Sequence, residues 1–398
     1  MNDEIEELQA ILKDDPYNFQ ARRTLSIVLL DNGFNKEAKQ NLLYLVRTFP
    51  DNAELLYNLG IAYEKLGDFE KAERAYLRAI VISPETDFYY NLGLTYIEMK
   101  EWGKAIVALK HVIDVEPDDS NTFFNLGLCF FNQEEYEVAI EYFTKAVELN
   151  PQDLFAYFYL GNIFKALGQA ELAVSSYQKV IEIAPDYSWA YYNIGAIAYE
   201  QGEVEASLQY LHQTVHYNPH DIEAYMLMVR IYVTQMRLTE AMDVIIPALD
   251  NNPQNGDLLY TLSQIFKLNN DLENYEKYLG EAVSNYRSMS FPFEKVKSEY
   301  SQIKAQMDEL RSQQVINNEV DYDAKENVEE ISDEQGYDKE GEYSADYDEN
   351  PSAEVATEED FSQDYPQDDA QEYYEEESAD DFSQEESYSE ASYPQEEG

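Results

Sequence analysis

The chain has 398 residues, with 80 acidic side chains against 27 basic ones and a formal net charge of −53. This charge excludes non-specific nucleic-acid binding, which needs a cationic face, and argues against docking on anionic lipid. The single cysteine, Cys129, excludes an internal disulfide framework and a cysteine-cluster metal site. The N-terminus lacks the features of a signal peptide, and no stretch approaches about 18 uninterrupted apolar residues. We therefore expect a soluble cytoplasmic protein.

Residues 1–18 are predicted to form a capping helix, over Asp3–Asp14, ahead of a repeat array that proline marks. Eight prolines recur at spacings of 34, 34, 33, 34, 34, 34 and 34 residues: Pro16, Pro50, Pro84, Pro117, Pro151, Pro185, Pro219 and Pro253. Proline ends a helix because it lacks an N–H and restricts the residue before it. A fixed period of this length indicates stacked helical units, and the series predicts eight of them over residues 19–287.

The second unit, residues 53–84, shows the pattern inside each repeat. Large and small residues hold unit positions 7, 8, 11, 15, 20, 24, 27 and 32, namely Leu59, Gly60, Tyr63, Gly67, Ala72, Tyr76, Ala79 and Pro84. This pattern resembles the tetratricopeptide repeat, and the third to sixth units follow the same frame. The resemblance implies an all-α protein, a right-handed superhelical solenoid of about eight repeats with two antiparallel helices each. The terminal units are degenerate: Ser26, Val229 and Ser263 replace the position-8 glycine, and Tyr275 replaces the small position-20 residue.

After the last unit, residues 288–312 are predicted to form a C-terminal capping helix. Its large residues recur at spacings of three and four: Phe293, Val296, Tyr300, Ile303, Met307 and Leu310. Such a narrow apolar stripe suits a helix that covers the last repeat. A coiled-coil seam between two chains is the alternative, over about three heptads.

Residues 313–398 are predicted to form a disordered acidic tail. They hold 32 acidic and two basic residues, a net charge of −30, while the remaining 312 residues carry 25 basic and 48 acidic, or −23. The tail contains no Leu or Met, so it cannot bury enough apolar surface to offset its chain entropy, yet it has nine tyrosines. Three roles stay open: a charged solubiliser, a segment that captures a basic partner, and an intramolecular contact with the array. Acidic residues of the array oppose the third by like-charge repulsion.

The family resemblance implies that the first helix of each unit lines a concave groove through unit positions 2, 5, 9, 12 and 13. In the central units these positions are largely aromatic or aliphatic, and we predict a peptide-binding groove from Tyr90, Leu94, Phe124, Leu128, Phe131, Phe155, Phe158, Trp189, Tyr192 and Tyr199. An exposed apolar patch of this size normally marks an interaction site. Tight superhelical coiling, or the tail, could instead cover part of it.

Asparagines at unit position 6 form a further pattern along the same helices. Asn58, Asn91 and Asn125 hold this position in three successive units, which is similar to the asparagine ladder of O-GlcNAc transferase. That resemblance implies that their amides orient the backbone of a bound peptide, since an amide supplies both donor and acceptor. A carboxylate clamp of the kind that binds chaperone C-termini is not expected. It needs a basic position 5 beside Asn at position 9, and Arg23 and Asn162 lie far apart in the repeat order.

No chemical motif stands out against the repeats. His212, His216 and His220 are spaced by four, but Pro219 interrupts the helix before the third, so we predict no metal site. Cys129 falls beside core positions and is expected to be buried. We predict no cofactor and no enzymatic activity, and we predict instead an adaptor that binds a protein or peptide partner, without nucleic acid or membrane. The alternative is a chaperone that shields a secretion or assembly client.

Overall fold

The computed structural model describes the backbone of residues 2–332 and the side chains of residues 3–314. Every helix or strand assigned in this part of the chain is a helix, which confirms the predicted all-α repeat solenoid. The α-helices are α1 Asn2–Asp14, α2 Phe19–Asp31, α3 Asn35–Thr48, α4 Ala53–Lys65, α5 Phe69–Ile82, α6 Thr86–Glu98, α7 Trp102–Val115, α8 Ser120–Asn132, α9 Tyr136–Leu149, α10 Leu154–Ala166, α11 Ala170–Ile183, α12 Ser188–Glu200, α13 Val204–Tyr217, α14 Ile222–Thr234, α15 Leu238–Asn251, α16 Gly256–Leu268, α17 Leu272–Ser284 and α18 Phe293–Ser332. A short 3-10 helix, Tyr286–Ser288, lies between α17 and α18.

The helices α2 to α17 form eight pairs, one for each proline-defined unit. Each helix packs most extensively on its partner within the pair, and the second helix of a pair also packs on the first helix of the next pair. The core is therefore built from neighbour contacts along the chain, as in other repeat solenoids. The chain divides into two units, Met1–Glu326 and Asn327–Gly398, and all eight pairs belong to the first.

Short sequence signals explain where the first helix of a pair begins. In six repeats the residue two places after the periodic proline is Asn or Asp, and its side chain accepts a hydrogen bond from the first turn of the next helix. These N-caps are Asn18, Asn52, Asp119, Asp153, Asp221 and Asn255. A cap of this kind stabilises its helix by about 1 kcal/mol. In these six repeats four residues, which include the proline and the cap, therefore separate the end of one helix from the start of the next.

The turn inside each pair requires a left-handed backbone at unit position 15. Four repeats place glycine there, at Gly33, Gly67, Gly168 and Gly202. The other four adopt the same conformation without glycine, at Lys100, Glu134, Met236 and Asn270, with φ between 58° and 62°. The next residue closes the helix end; in the second repeat the Asp68 N–H donates to the Tyr63 carbonyl at 2.9 Å. The repeat geometry, rather than the residue type, therefore sets this turn.

Where the two helices of a pair cross, an aromatic ring at position 24 occurs only opposite glycine at position 8 in these eight repeats, while Gly93 and Gly195 face Leu109 and Leu211. Three repeats combine glycine with a buried aromatic ring: Gly60 with Tyr76, Gly127 with Phe143, and Gly161 with Tyr177. A Cβ on Gly161 would lie 2.6 Å from Cε1 of Tyr177, well inside van der Waals contact. Where position 8 carries a side chain, position 24 is aliphatic, as in Ser26 with Leu42, Val229 with Ile245 and Ser263 with Leu279. The degenerate units thus have a side chain at position 8 and an aliphatic residue, instead of an aromatic ring, at position 24.

A single helix covers each end of the paired helices. At the N-terminal end α1 buries Ile5 against the core of the first pairs. At the C-terminal end α18 buries Val296, Ile303 and Met307 against Tyr275 of α17. The stripe that the sequence assigned to a capping helix thus faces the last repeat within this chain.

The carboxylate of Glu299 fastens α18 to the last repeat. It accepts hydrogen bonds from Lys267 Nζ at 2.6 Å and from the Tyr275 hydroxyl at 2.7 Å, and longer ones from Tyr260 and Gln264 at 3.3 Å. Burial works to raise the pKa of Glu299, but the hydrogen bonds from Lys267 and Tyr275 outweigh it and hold the pKa below its usual range. The carboxylate is therefore ionised at neutral pH and joined to both helices of the eighth pair.

The last helix is longer than the sequence analysis predicted. α18 runs to Ser332, twenty residues beyond the expected end at 312, so residues 313–332 do not belong to a non-helical tail. Their sequence contains neither Pro nor Gly, and the next glycine is Gly336, so nothing in it breaks the helix. The predicted disordered tail otherwise falls on residues 333–398, outside those that the structure describes, as does its possible contact with the array.

Candidate functional site

The predicted groove residues lie on the first helices of the central pairs, α6, α8, α10 and α12. Positions 2, 5, 9 and 12 follow one another at spacings of three and four, so they share one face of each helix. Two of the predicted side chains are exposed, Phe155 at 53% and Trp189 at 48%. The other eight are half-buried: Tyr90, Leu94, Phe124, Leu128, Phe131, Phe158, Tyr192 and Tyr199.

Packing between neighbouring pairs accounts for part of this burial. Tyr90 packs on the core of the first pairs, and Phe158 packs on the core around α11 and α12. Tyr192 and Tyr199 pack in the same way on the core around α14. The predicted groove residues are therefore not one free surface, because superhelical packing already uses one side of several rings. Phe155 and Trp189 offer the largest open area among them.

Ring contacts join several of the aromatic side chains into one cluster across three repeats. We call it the central aromatic cluster and define it as Phe124, Phe131, Phe155, Phe158, Tyr159 and Tyr187. Tyr159 is its hub: its ring centroid lies 5.1 Å from that of Phe131 and 5.9 Å from that of Phe124. Tyr187 extends the cluster, with its ring centroid 5.5 Å from that of Phe158 and 6.5 Å from that of Phe155. A separate pair, Trp189 and Tyr192, has ring centroids 6.4 Å apart.

Two members of the central aromatic cluster, Tyr159 and Tyr187, were missed by the sequence analysis. Tyr159 holds unit position 6, where the neighbouring repeats have asparagine. Tyr187 holds the N-cap place of α12, where six other repeats have a capping Asn or Asp, and its side chain caps nothing. In both cases a polar residue of the repeat pattern is replaced by a tyrosine that points to neighbouring rings. A tyrosine in place of the usual polar residue at these two positions is the sequence signal from which both could have been predicted.

The ladder asparagines form hydrogen bonds within the protein. Asn91 Nδ2 donates to the Tyr57 hydroxyl at 2.8 Å, and Asn125 Nδ2 donates to the Tyr90 hydroxyl at 3.2 Å. Each amide therefore tethers a tyrosine of the preceding repeat, and one donor of the amide is used in this way. An amide has a second donor and an acceptor, so both residues retain hydrogen-bonding capacity. Asn58 has Arg23 at the corresponding place of the preceding repeat, so this tyrosine tether is not possible there.

Carboxylates lie beside two tyrosines at unit position 5, Tyr57 and the predicted groove residue Tyr192. Burial raises the pKa of Tyr57 and, next in importance, so does the negative charge of Asp87. Burial likewise raises the pKa of Tyr192, and the nearby Glu223 raises it further through its charge and a hydrogen bond. In each case the acidic residue holds position 2 of the following repeat. The predicted groove positions thus combine aromatic rings with neighbouring negative charge.

The two residues that resemble parts of a carboxylate clamp are already occupied. Arg23 forms an ion pair with Glu54, and Asn162 Oδ1 accepts a hydrogen bond from the buried Tyr177 hydroxyl at 2.7 Å. Both contacts are made within the repeat array, and the charge of Arg23 is already paired. Arg23 and Asn162 lie four repeats apart, so they do not form a clamp between neighbouring repeats.

The candidate chemical groups Cys129, His212 and His216 lie on two different helices, α8 and α13. Cys129 is fully buried in α8, and burial raises the pKa of its thiol to about 12. His212 and His216 are exposed on α13, and burial of part of the His212 ring lowers its pKa. Among residues with described side chains, no group of three or more His, Cys, Asp or Glu is arranged to hold a metal ion. None of the described helices is both long and apolar enough to cross a membrane.

Family models match the array over residues 23–265. Those described as tetratricopeptide repeat match residues 23–86, 86–119, 120–153, 142–175 and 198–265, and one described as TPR repeat matches residues 161–202. The chain belongs to the tetratricopeptide repeat family. Tetratricopeptide repeats generally mediate protein–protein interactions, and proteins built from them are typically non-enzymatic scaffolds.

Several solved tetratricopeptide repeat proteins are similar to this chain. MamA from Desulfovibrio magneticus RS-1 is 26% identical with a TM-score of 0.41, and the match covers 42% of this chain and 96% of MamA. YrrB, described as having an unusual peptide-binding site, is 22% identical with a TM-score of 0.42, covering 47% and 96%. The C-terminal part of a TPR repeat-containing protein from Cytophaga hutchinsonii is 16% identical with a TM-score of 0.54, covering 60% and 98%, and shares the fold. No curated protein matches the chain.

Proposed function

We propose that this protein is a non-enzymatic adaptor that captures a peptide or amphipathic helix of a partner protein on its concave face. The observation that carries the proposal is the exposure of Phe155 and Trp189 beside half-buried rings. Half-exposed aromatic side chains on a rigid helical face are typical anchors of protein interfaces. An extended peptide or a helix with several apolar anchors suits such a groove.

The partner is proposed to be a protein and not a nucleic acid or an anionic membrane. With 48 acidic and 25 basic residues among the first 312, the array repels phosphate-rich surfaces at long range. The asparagines Asn58, Asn91 and Asn125 are proposed to orient the backbone of the bound segment with the hydrogen-bonding capacity that their contacts leave. Aromatic anchors then supply most of the affinity, and the amides supply register.

A selection experiment tests this function. Peptides selected from a random displayed library against the full chain are measured for binding to the wild type and to Phe155→Glu/Trp189→Glu. We expect the double variant to lose about a hundredfold in affinity or more, because two hot-spot residues each contribute about 2 kcal/mol. Glutamate at these exposed places should leave the fold intact, as circular dichroism can verify.

A matched control replaces two equally exposed apolar residues on a second helix. Val107 and Val115 of α7 are 52% and 60% exposed, and capture in the groove predicts that Val107→Glu/Val115→Glu binds as the wild type does. Equal loss in both double variants, or no loss in either, would contradict capture by the concave face. If no peptide is selected while the chain suppresses aggregation of unrelated denatured proteins, a holdase replaces the adaptor.

A further inference from the structure

Acidic residues occupy both ends of the groove-facing stripe on α6 and one end of it on α12 and α14. On α6, Asp87 and Glu98 bracket Tyr90 and Leu94 at spacings of three, four and four residues, so all four share one face. On α12, Glu200 follows Tyr199 directly, at unit position 13. These carboxylates therefore stand at the edges of the same face that presents the apolar side chains.

The next first helix contributes a fourth carboxylate. Glu223 of α14 holds unit position 2 and lies close enough to Tyr192 on α12 to raise its pKa. Together with Asp87, Glu98 and Glu200, it is exposed. We call these four residues the groove carboxylates.

The groove carboxylates are not neutralised by neighbouring cations. Among the side chains that the structure describes, no lysine or arginine forms an ion pair with any of the four. Two basic residues lie on the same stripes. Lys165 donates to Asn193 Oδ1 at 2.9 Å, and Arg230 lies close enough to Tyr192 to lower its pKa. The groove stripes from α6 to α14 thus carry more negative than positive charge, and the array as a whole adds −23.

We propose, resting on the adaptor function above, that the captured segment is a cationic amphipathic peptide with Lys or Arg between its apolar anchors. Its apolar side chains would contact Phe155, Trp189 and the central aromatic cluster. Its ammonium or guanidinium groups would pair with the groove carboxylates and lie over neighbouring ring faces, an arrangement that favours Trp and Tyr. Complementary charge of this kind selects the partner and speeds its association.

The same charges disfavour the other occupants of the groove. An acidic peptide, including the acidic C-terminal residues of this chain, would bring like charges together and lose affinity for that reason. A neutral apolar helix would gain the aromatic contacts alone. Only a cationic segment uses both the rings and the carboxylates.

Two synthetic helical peptides test the proposal. Each has about 18 residues, enough for five turns, with the same Leu face and either Lys or Glu at all polar places. Anisotropy titrations use the full-length protein at about 0.05 M and about 0.5 M NaCl, because screening at the higher salt suppresses charge pairing. We expect the Lys peptide to bind at least about tenfold tighter than the Glu peptide at low salt, and the difference to shrink at high salt.

Two fourfold variants of equal net charge locate the effect. Asp87→Asn, Glu98→Gln, Glu200→Gln and Glu223→Gln neutralise the groove carboxylates, while Glu70→Gln, Asp114→Asn, Glu137→Gln and Glu171→Gln neutralise exposed acids on second helices. We expect the first variant to weaken binding of the Lys peptide about tenfold and the second by less than about twofold.

The outcomes separate this proposal from the adaptor function. Equal affinity for both peptides, tighter binding of the Glu peptide, or equal losses in the two fourfold variants would overturn the cationic partner. If Phe155→Glu/Trp189→Glu still abolishes peptide binding in that case, the proposed groove is retained and only the positive charge of its partner is rejected. Binding of neither peptide, together with a failed library selection, would reject the adaptor function and this proposal with it.

Discussion

Gly161→Ala should destabilise the repeat array by about 2 kcal/mol, although alanine is the better helix former. The added Cβ would lie 2.6 to 2.9 Å from three ring atoms of Tyr177. That ring cannot move away easily, because it is fully buried and its hydroxyl is hydrogen-bonded to Asn162. The two helices α10 and α11 must therefore separate, which costs packing in a close-packed core. Denaturant titration measures the loss, and hydrogen exchange should place it in α10 and α11.

Gly103→Ala is the matched control. Gly103 lies in α7, and no atom lies within 4 Å of the place that a Cβ would take, so the same methyl group meets only solvent. Its stability should stay the same or rise by up to about 1 kcal/mol, since alanine restricts the unfolded chain. Equal effects at the two glycines would contradict the account in which glycine at position 8 makes room for the ring at position 24.

Glu299→Ala should loosen the C-terminal end of the array by about 2 to 3 kcal/mol. The substitution removes the acceptor that Lys267, Tyr275 and two further side chains share, and leaves these donors partly buried without a partner. Hydrogen exchange should quicken in α16, α17 and the first part of α18, while the central pairs keep their protection. Glu294→Ala is the control, because Glu294 is exposed one turn earlier in the same helix.

The hydrogen bonds of Glu299 also predict that the stability of the C-terminal end of the array depends on pH. The pKa of Glu299 is lowered in the folded protein, so its contribution is complete above the pKa of an unfolded glutamate and is lost as the pH falls through the lowered pKa. Protection of α16 and α17 should therefore decrease only in acid below the usual glutamate range. Loss of hydrogen-exchange protection in α16 and α17 at neutral pH in the wild type would contradict the role of this carboxylate. Protection of these helices in Glu299→Ala equal to that in the wild type would contradict it as well.

The sequence predicts the repeats well because their signals are local. A proline, the Asn or Asp two places later and the small residue at position 8 lie within one unit, and each acts on its own pair of helices. The left-handed turn was less visible, since Lys100 and Glu134 adopt it without the glycine that usually reveals it. The sequence analysis ended α18 at residue 312 on composition alone, although residues 313–332 contain neither Pro nor Gly and continue the helix.

The ring contacts on the face of the proposed groove were harder to predict because they are made between units. The amide of Asn91 reaches the Tyr57 hydroxyl one repeat away, and no pattern inside a single unit indicates that pairing. Tyr159 and Tyr187 join the aromatic cluster from positions outside the family's groove positions. The sequence therefore indicated the helix face but not which of its rings are exposed to solvent. In the structure Phe155 and Trp189 are exposed, and the other predicted residues are half-buried.

The central claim, that the concave face captures a partner segment, is tested most directly by the fluorescence of Trp189. The chain has two tryptophans, so Trp102→Phe leaves Trp189 as the only indole. Because Trp189 is 48% exposed, a bound segment should exclude water from its ring. We predict a shift of its emission to shorter wavelength and protection from acrylamide quenching, both saturating at the affinity measured for the selected peptide. A peptide that binds with that affinity while the emission and quenching of Trp189 stay unchanged would contradict the account.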